Sequence, residues 1–123
     1  MFDNATIVAI ATANGIGSIS IVIASGANAL EIAKKIAKKT TFQPRLATLS
    51  YLHDINNEFI DEALVLYLKA PFSFTGEDIV EFQCHGGVAI GNMIVDEVLK
   101  YGARLANPGE FSKRAFFNNK IDL

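Results

Sequence analysis

The sequence is poor in the residues that build cross-linked, metal-bound or strongly charged proteins. Its 123 residues include no tryptophan, one cysteine, two histidines and three prolines, and the formal net charge is -2. A single cysteine, Cys84, excludes an internal disulfide framework and a multi-cysteine zinc site, and it fits a reducing compartment. A nearly balanced charge indicates neither a disordered polyelectrolyte nor a typical basic nucleic-acid-binding surface. We therefore expect a cytoplasmic location.

The sequence also lacks a long uninterrupted hydrophobic run. Residues 7–24 are rather apolar, but Asn14, Gly15 and Gly17 interrupt them and no Lys or Arg precedes them, so we predict neither a signal peptide nor a membrane span. With no internal repeat or linker, residues 1–123 are expected to form one domain. Because the chain stops on the apolar Leu123 without a polar tail, we interpret it as a fragment of a larger protein.

Hydrophobic periodicity predicts the order β-β-α-β-β-β-α-α. Strands are predicted over residues 6–11, 18–24, 45–52, 61–68 and 79–85, and the first two are expected to form a hairpin across Asn14-Gly15. This order is typical of an α+β fold, with a mixed, mostly antiparallel sheet and helices packed on one side.

Capping patterns place the three helices. Asn28 with Glu31 predicts the first helix start, Gly87 begins the second, and Pro108 with Glu110 predicts a third helix that ends at Asn118-Asn119. Gly102 is predicted to stop the second helix. The predicted inner stripe of the first helix is Ala29, Ile32, Ala33, Ile36 and Ala37. The second helix places Ile90, Ile94, Val98 and Tyr101 on one face, and the third carries Phe111, Ala115 and Phe116.

The strand over residues 79–85 carries most of the candidate functional residues. Alternation puts Val80, Phe82 and Cys84 on a core face, which argues against a thiol nucleophile, and Glu81 and His85 on the other face. Four residues of strand separate Glu81 from His85 by about 13 Å, too far for one metal or one proton.

Two interpretations stay open for this strand and for the turn after it. Glu81 either accepts hydrogen bonds from the N–H groups of a heterocyclic ligand or lies on a solvated sheet face. His85-Gly86-Gly87 forms either a tight turn, which we favour, or an anion site of backbone N–H groups. His53 is expected on the surface, in a polar loop.

Two short motifs do not support nucleotide binding. Gly15-x-Gly17 lacks the third glycine of a dinucleotide fingerprint, and a strand rather than a helix is predicted to follow it. Residues 119–122 spell N-K-x-D, but the chain has no phosphate-binding loop, so we predict that this chain alone binds no GTP.

Three strings in order nevertheless resemble one family. They are residues 6–12 leading into Gly15-x-Gly17, residues 74–78 through 85–87, and residues 102–116. The chain is similar along nearly its whole length to the N-terminal domain of the MnmE/TrmE family of tRNA modification GTPases.

The resemblance implies a domain that forms a homodimer, binds 5-formyltetrahydrofolate and resembles folate-binding aminomethyltransferases in fold. It implies a parent protein with a helical domain and a G domain, absent here, in which GTP, Mg and K bind. With an FAD-dependent partner protein, that parent is expected to place a carboxymethylaminomethyl-type group on the wobble uridine of certain tRNAs. The fragment itself is expected to contain no catalytic residue.

The resemblance also assigns residues. The folate contacts of the family fall on Glu81 and Lys120, and a third contact, usually Arg, falls on Ile23. Ile16 likewise stands where a basic residue is frequent. We therefore expect weak binding of 5-formyltetrahydrofolate, tightened by Ile23→Arg.

Two other functions remain as alternatives. Ile16 and Ile23 favour a structural dimerisation or partner-docking domain with weakened or lost folate binding. A free-standing one-carbon transferase needs an acid or a base, for which Glu77, Asp78 and His85 are the candidates, but no paired base and orienting group occur at compatible positions.

Overall fold

A computed structural model describes residues 3–12 and 19–120 and shows a six-stranded sheet with three helices. The elements are β1 (Ile7–Thr12), β2 (Ser20–Ser25), α1 (Ala29–Ala37), β3 (Thr48–His53), β4 (Phe59–Leu68), β5 (Ile79–Cys84), α2 (Gly87–Lys100), β6 (Arg104–Leu105) and α3 (Glu110–Phe117). The strand order is β3-β4-β5-β2-β1-β6. The β1–β6 pair is parallel and the other neighbours are antiparallel, so the predicted α+β class with a mixed, mostly antiparallel sheet is confirmed.

The main core lies between one face of the sheet and the helices α1 and α2. All five residues predicted to face inward from α1 are buried, and Ile94 and Val98 of α2 are fully buried. From the sheet, Val80, Phe82 and Cys84 enter the same core with no exposed area, as alternation predicts. None of the helices in the described residues is long and apolar enough to cross a membrane.

Strand boundaries differ from the predicted ones where the backbone turns. Arg45 was expected to begin β3, but it has a positive φ of 68° and its N–H donates to the Tyr67 carbonyl at 2.8 Å, so the strand begins at Thr48. The two-residue strand β6 is missing from the prediction because two residues carry no periodicity. β1 and β2 pair antiparallel, as expected for a hairpin, while the predicted turn at Asn14-Gly15 lies outside the described residues.

One predicted helix cap and one predicted helix start need correction. Asn28 precedes α1, but its side chain makes no capping hydrogen bond, and its own N–H donates to Thr6 Oγ1 at 3.1 Å. α3 begins at Glu110 rather than at Pro108, because Gly109 adopts a φ of 72° that a helix does not allow. The Glu110 carboxylate still accepts the Asn107 N–H at 2.8 Å, which is the reciprocal contact that the capping pattern predicts.

The buried side of α3 differs from the apolar stripe that was predicted. Of the apolar residues on this helix, Ala115 is fully buried, whereas Phe116 is 41% exposed. Arg114 takes the buried position instead, with no exposed area. A charged residue therefore anchors this helix, and its partners lie at the candidate site.

Candidate functional site

Glu81 lies near the middle of β5, between an isoleucine and a leucine of the neighbouring strands. Its register partners are Ile23 on β2 and Leu66 on β4, and all three side chains project from the sheet face opposite the main core. Directly paired residues of antiparallel strands have Cβ atoms about 5 Å apart. The structure thus places Glu81 and Ile23, two of the three residues assigned by resemblance, side by side.

The surroundings of Glu81 are apolar and half-buried. The next pairs along the same face join Gln83 to Ile21 and to Leu64, and each of these side chains is partly shielded from water. Among the described residues, the Glu81 carboxylate has no ion-pair or hydrogen-bond partner. A half-buried carboxylate with free lone pairs and apolar walls is suited to bind a flat molecule that has N–H donors on one edge.

Lys120 does not contact Glu81 but lies at the loop between β4 and β5. Its ammonium donates to the Pro71 carbonyl at 3.1 Å, and its side chain lies beside Gly76 of the same loop. Since Ile79 begins β5, this loop adjoins the end of the strand from which Glu81 is two residues away. Lys120 therefore provides a cation at the loop that leads into the strand that carries Glu81.

A buried hydroxyl pair connects this loop to β2. The hydroxyls of Ser25 and Thr75 lie 2.8 Å apart, both residues have no exposed area, and the Ser25 hydroxyl also donates to Glu77 Oε1 at 2.8 Å. Arg114 donates to both Glu77 oxygens, at 3.0 and 3.1 Å. These contacts tie the loop both to β2 and to α3.

A second ion-pair cluster joins α3 to β6. Arg104 donates to the two Glu110 oxygens at 2.8 and 2.6 Å and also contacts Asp3 at 3.2 Å. Hydrogen bonding from Arg104 lowers the pKa of Glu110 from 4.5 to about 2, so Glu110 is ionised at neutral pH. A cavity of about 330 Å³ adjoins these groups.

Sequence reasoning missed both arginines as structural groups. Periodicity treats Arg104 and Arg114 as surface residues because charged side chains are rarely buried. The useful signal was Glu110, which lies four residues before Arg114, the spacing at which oppositely charged side chains meet on a helix.

Asp78 and His85, which are candidates for an acid or a base, form hydrogen bonds with backbone groups of the fold. Asp78 accepts the Ala70 N–H at 2.8 Å, and His85 Nδ1 lies 2.8 Å from the Glu62 carbonyl. Burial raises the pKa of the Cys84 thiol to about 12, in agreement with its predicted inward orientation. Within residues 3–12 and 19–120, no group of three or more His, Cys, Asp or Glu side chains is placed to hold a metal ion.

The junction between β5 and α2 forms a turn, and His53 lies at the end of a strand. A Cβ atom added to Gly86 would lie 1.9 Å from Ile90 Cγ1, and Gly87 has a φ of 77°, so the junction before α2 is a close-packed turn. His53 was expected in a surface loop, but it ends β3, is half-buried and stands edge-on to Phe59 with ring centroids 6.1 Å apart.

Comparison with known proteins places this sheet and its loop in a defined family. A family model described as "GTP-binding protein TrmE N-terminus" matches residues 6–120. The chain is 80% identical over 123 residues to the tRNA modification GTPase MnmE of Aliarcobacter butzleri, and that match covers the whole chain and 28% of the relative. It is 64% identical over 121 residues to the MnmE of a Nitratiruptor species, covering 98% of the chain and 27% of the relative.

A third bacterial relative matches a similar share of the chain. The chain is 59% identical over 116 residues to the tRNA modification GTPase MnmE of Campylobacter jejuni, covering 94% of the chain and 26% of the relative. The chain thus spans about a quarter of the length of the curated relatives that it matches.

Proposed function

The chain belongs to the TrmE N-terminus family, and we propose that it is the 5-formyltetrahydrofolate-binding and dimerisation domain of a GTPase that modifies the wobble uridine of certain tRNAs. The names of its relatives support the tRNA modification and GTPase parts of this proposal. The folate part depends on the geometry around Glu81.

The observation that carries the folate proposal is the Glu81 carboxylate, which lies between Ile23 and Leu66 and has no partner in the part of the chain that the structure describes. A pterin ring is flat and apolar on its faces and has amino and ring N–H donors along one edge. Apolar side chains contact such faces, while an ionised carboxylate accepts two parallel N–H groups and forms strong, charge-assisted hydrogen bonds. The residues present therefore fit the pterin end of a folate.

The position of Lys120 fits the other end of the same ligand. The pterin and the glutamate of a folate are joined by an aryl spacer, so the two binding groups must be separated along the surface. Glu81 lies two strand residues, about 7 Å, inside the end of β5, and Lys120 lies beyond that end, at the loop. Its ammonium is suited to the glutamate carboxylate. Bound folate would supply a one-carbon unit.

The proposal also covers the complete protein of which this chain is a part. We assign GTP, Mg and K to a downstream G domain, and an FAD-dependent protein and tRNA to the partners of the complete protein, in the cytoplasm. The fragment then contributes the folate and a dimer interface, and its own residues carry out no catalytic step.

Calorimetric titration of the 123-residue chain with 5-formyltetrahydrofolate tests the assignment of Glu81. We expect Glu81→Gln to weaken binding by about one to two decades, because a neutral amide loses the charge-assisted bonds and faces the ligand with N–H groups of its own. The matched control is Glu58→Gln, in the exposed turn before β4, which should leave the affinity unchanged.

The same titration distinguishes a second candidate function. Apolar Ile23 beside Glu81 favours a structural dimerisation or partner-docking domain that has lost the ligand. Measurable binding that Glu81→Gln weakens supports the folate-binding function. The absence of any binding heat by the unaltered chain at millimolar ligand would leave the structural function as the explanation.

A further inference from the structure

We propose that Asn118 and Gly76 are positioning residues that hold Lys120 where it meets the ligand. Together they clamp the end of α3 to the loop between β4 and β5. This inference rests on the proposed folate site, because Lys120 is the residue that they position. Its evidence is a set of contacts that the resemblance to the family does not assign.

The first part of the clamp is the backbone at the end of α3. Asn119 has a φ of 59°, its N–H donates to the Phe116 carbonyl at 3.0 Å, and the Lys120 N–H donates to the Ala115 carbonyl at 2.8 Å. These two bonds form a Schellman motif, with Asn119 in the left-handed position and Lys120 as the next residue. The backbone of Lys120 is therefore part of the helix terminus.

The second part is the Asn118 side chain, which ties that terminus to the loop. Asn118 Nδ2 donates to the Thr75 carbonyl at 2.8 Å. Thr75 is itself fully buried, and its hydroxyl lies 2.8 Å from the hydroxyl of Ser25, two residues beyond Ile23 on β2. Two hydrogen bonds thus link β2, which carries Ile23, to Thr75 in the loop, and Thr75 to Asn118 at the end of α3.

The third part is the close approach at Gly76. Its φ is +81°, and a Cβ atom there would lie 2.9 Å from Asn118 Cβ and 3.4 Å from Lys120 Cγ. The loop is therefore in contact with both side chains, and only glycine combines that backbone conformation with that space. The loop bounds the aliphatic part of Lys120, and the Pro71 carbonyl accepts one ammonium proton. Residues 3–12 and 19–120 leave the other two protons for a ligand carboxylate.

Positioning matters for affinity because a lysine side chain is long and flexible. A lysine that is already held loses less conformational freedom when the ligand binds, so its contribution to affinity is larger. We expect loss of the clamp to weaken 5-formyltetrahydrofolate binding about three- to tenfold, the usual cost of immobilising one flexible side chain.

A double-mutant cycle tests the inference by titration with 5-formyltetrahydrofolate. Asn118→Ala should weaken binding in the unaltered chain but have no further effect in the Lys120→Ala background, because it acts through Lys120. Asn118→Asp retains the size of the side chain but lacks the donor, and it should behave in the same way. Ser112→Ala, on the exposed surface of α3, is the matched control and should have no effect in either background.

The outcomes separate this inference from the proposed function. Equal losses for Asn118→Ala with and without Lys120, or no loss at all, overturn the positioning role while the folate site stands. Absence of binding by the unaltered chain overturns the folate assignment and the inference with it. Full affinity in Lys120→Ala overturns the role of Lys120, and with it the inference, while the part of the site at Glu81 stands. Thermal melting of each variant shows whether the fold is retained, and if Asn118→Ala does not fold, Asn118→Asp decides the result.

Discussion

Ile23 is the register partner of Glu81 on β2, so its side chain bears directly on the proposed folate site. An apolar side chain at this position packs against a ring but offers no charge to an anionic ligand. The proposed site therefore has one cation, Lys120, at the three assigned positions, where the family resemblance implies two.

We predict that Ile23→Arg tightens binding of 5-formyltetrahydrofolate by about one to two decades, the value of one charge-assisted hydrogen bond. Calorimetry of the two chains measures the difference. Ile21→Arg, two residues away on the same strand and opposite Gln83, is the matched control and should have a smaller effect. Unchanged affinity in Ile23→Arg would contradict the prediction and would indicate that the guanidinium pairs with Glu81 instead of the ligand.

For single residues of β5, alternation predicted that Cys84 is buried and that Glu81 lies on the opposite face of the sheet, because a strand fixes the direction of its side chains locally. It did not predict that Glu81 faces Ile23, since the register between two strands is not a local property. Glu77 could not be predicted as a partner of Arg114 for the same reason, because it is 37 residues away in sequence.

Among the elements, α3 is attached to its neighbours by ion pairs. Arg114 is fully buried between Glu77 and Glu110, and Arg104 binds Glu110 from β6. Removing one member of such a group leaves another charge without compensation in a poorly solvated place. The ionisation state of these carboxylates therefore affects how strongly α3 is held to the rest of the fold.

The pKa of Glu110, lowered from 4.5 to about 2, predicts the pH range of that effect. A depressed carboxyl pKa contributes stability above the unfolded pKa and loses that stability as the pH falls from about 4.5 towards 2. We expect Glu110→Gln to be less stable at pH 7 and to lose less stability on acidification than the unaltered chain.

Thermal melting of both chains between pH 7 and about pH 2 measures the difference between them. Glu31→Gln removes an exposed i,i+3 pair with Lys34 on α1 and is the control, since such pairs contribute about 0.2–0.5 kcal/mol. Parallel pH profiles for Glu110→Gln and the unaltered chain would refute the role of this ion pair.

The sequence predicted the existence and order of the longer elements better than their ends. Eight elements with clear periodicity occur where they were expected, whereas β6 depends on its parallel pairing with β1. The start of α3 differs because Gly109 takes a left-handed conformation, a choice that Pro108 and Glu110 do not reveal by themselves.

On the scale of the whole molecule, one of the two edges of the sheet carries a group of exposed aromatic and aliphatic side chains. β3 is the outer strand at this edge, and Leu49 and Tyr51 on it are 51% and 56% exposed, with Phe59 of β4 60% exposed beside them. Exposed apolar groups on an edge strand are a common feature of surfaces that associate.

We predict that the 123-residue chain forms a homodimer in solution. Sedimentation at several protein concentrations should show a mass that approaches that of two chains as the concentration rises. A mass of one chain, 13.3 kDa, across the whole range would contradict the dimerisation part of the proposed function.

The buried thiol of Cys84 has a practical consequence for all these measurements. It is the one cysteine of the chain, it has no exposed area, and its pKa is raised to about 12. A thiolate reacts with a maleimide or disulfide reagent by nucleophilic attack on it, so a buried thiol with a raised pKa does not react with such reagents in the native protein. Cysteines introduced for fluorescent or spin labels can therefore be modified selectively, and any labelling of Cys84 itself reports that the sheet has opened.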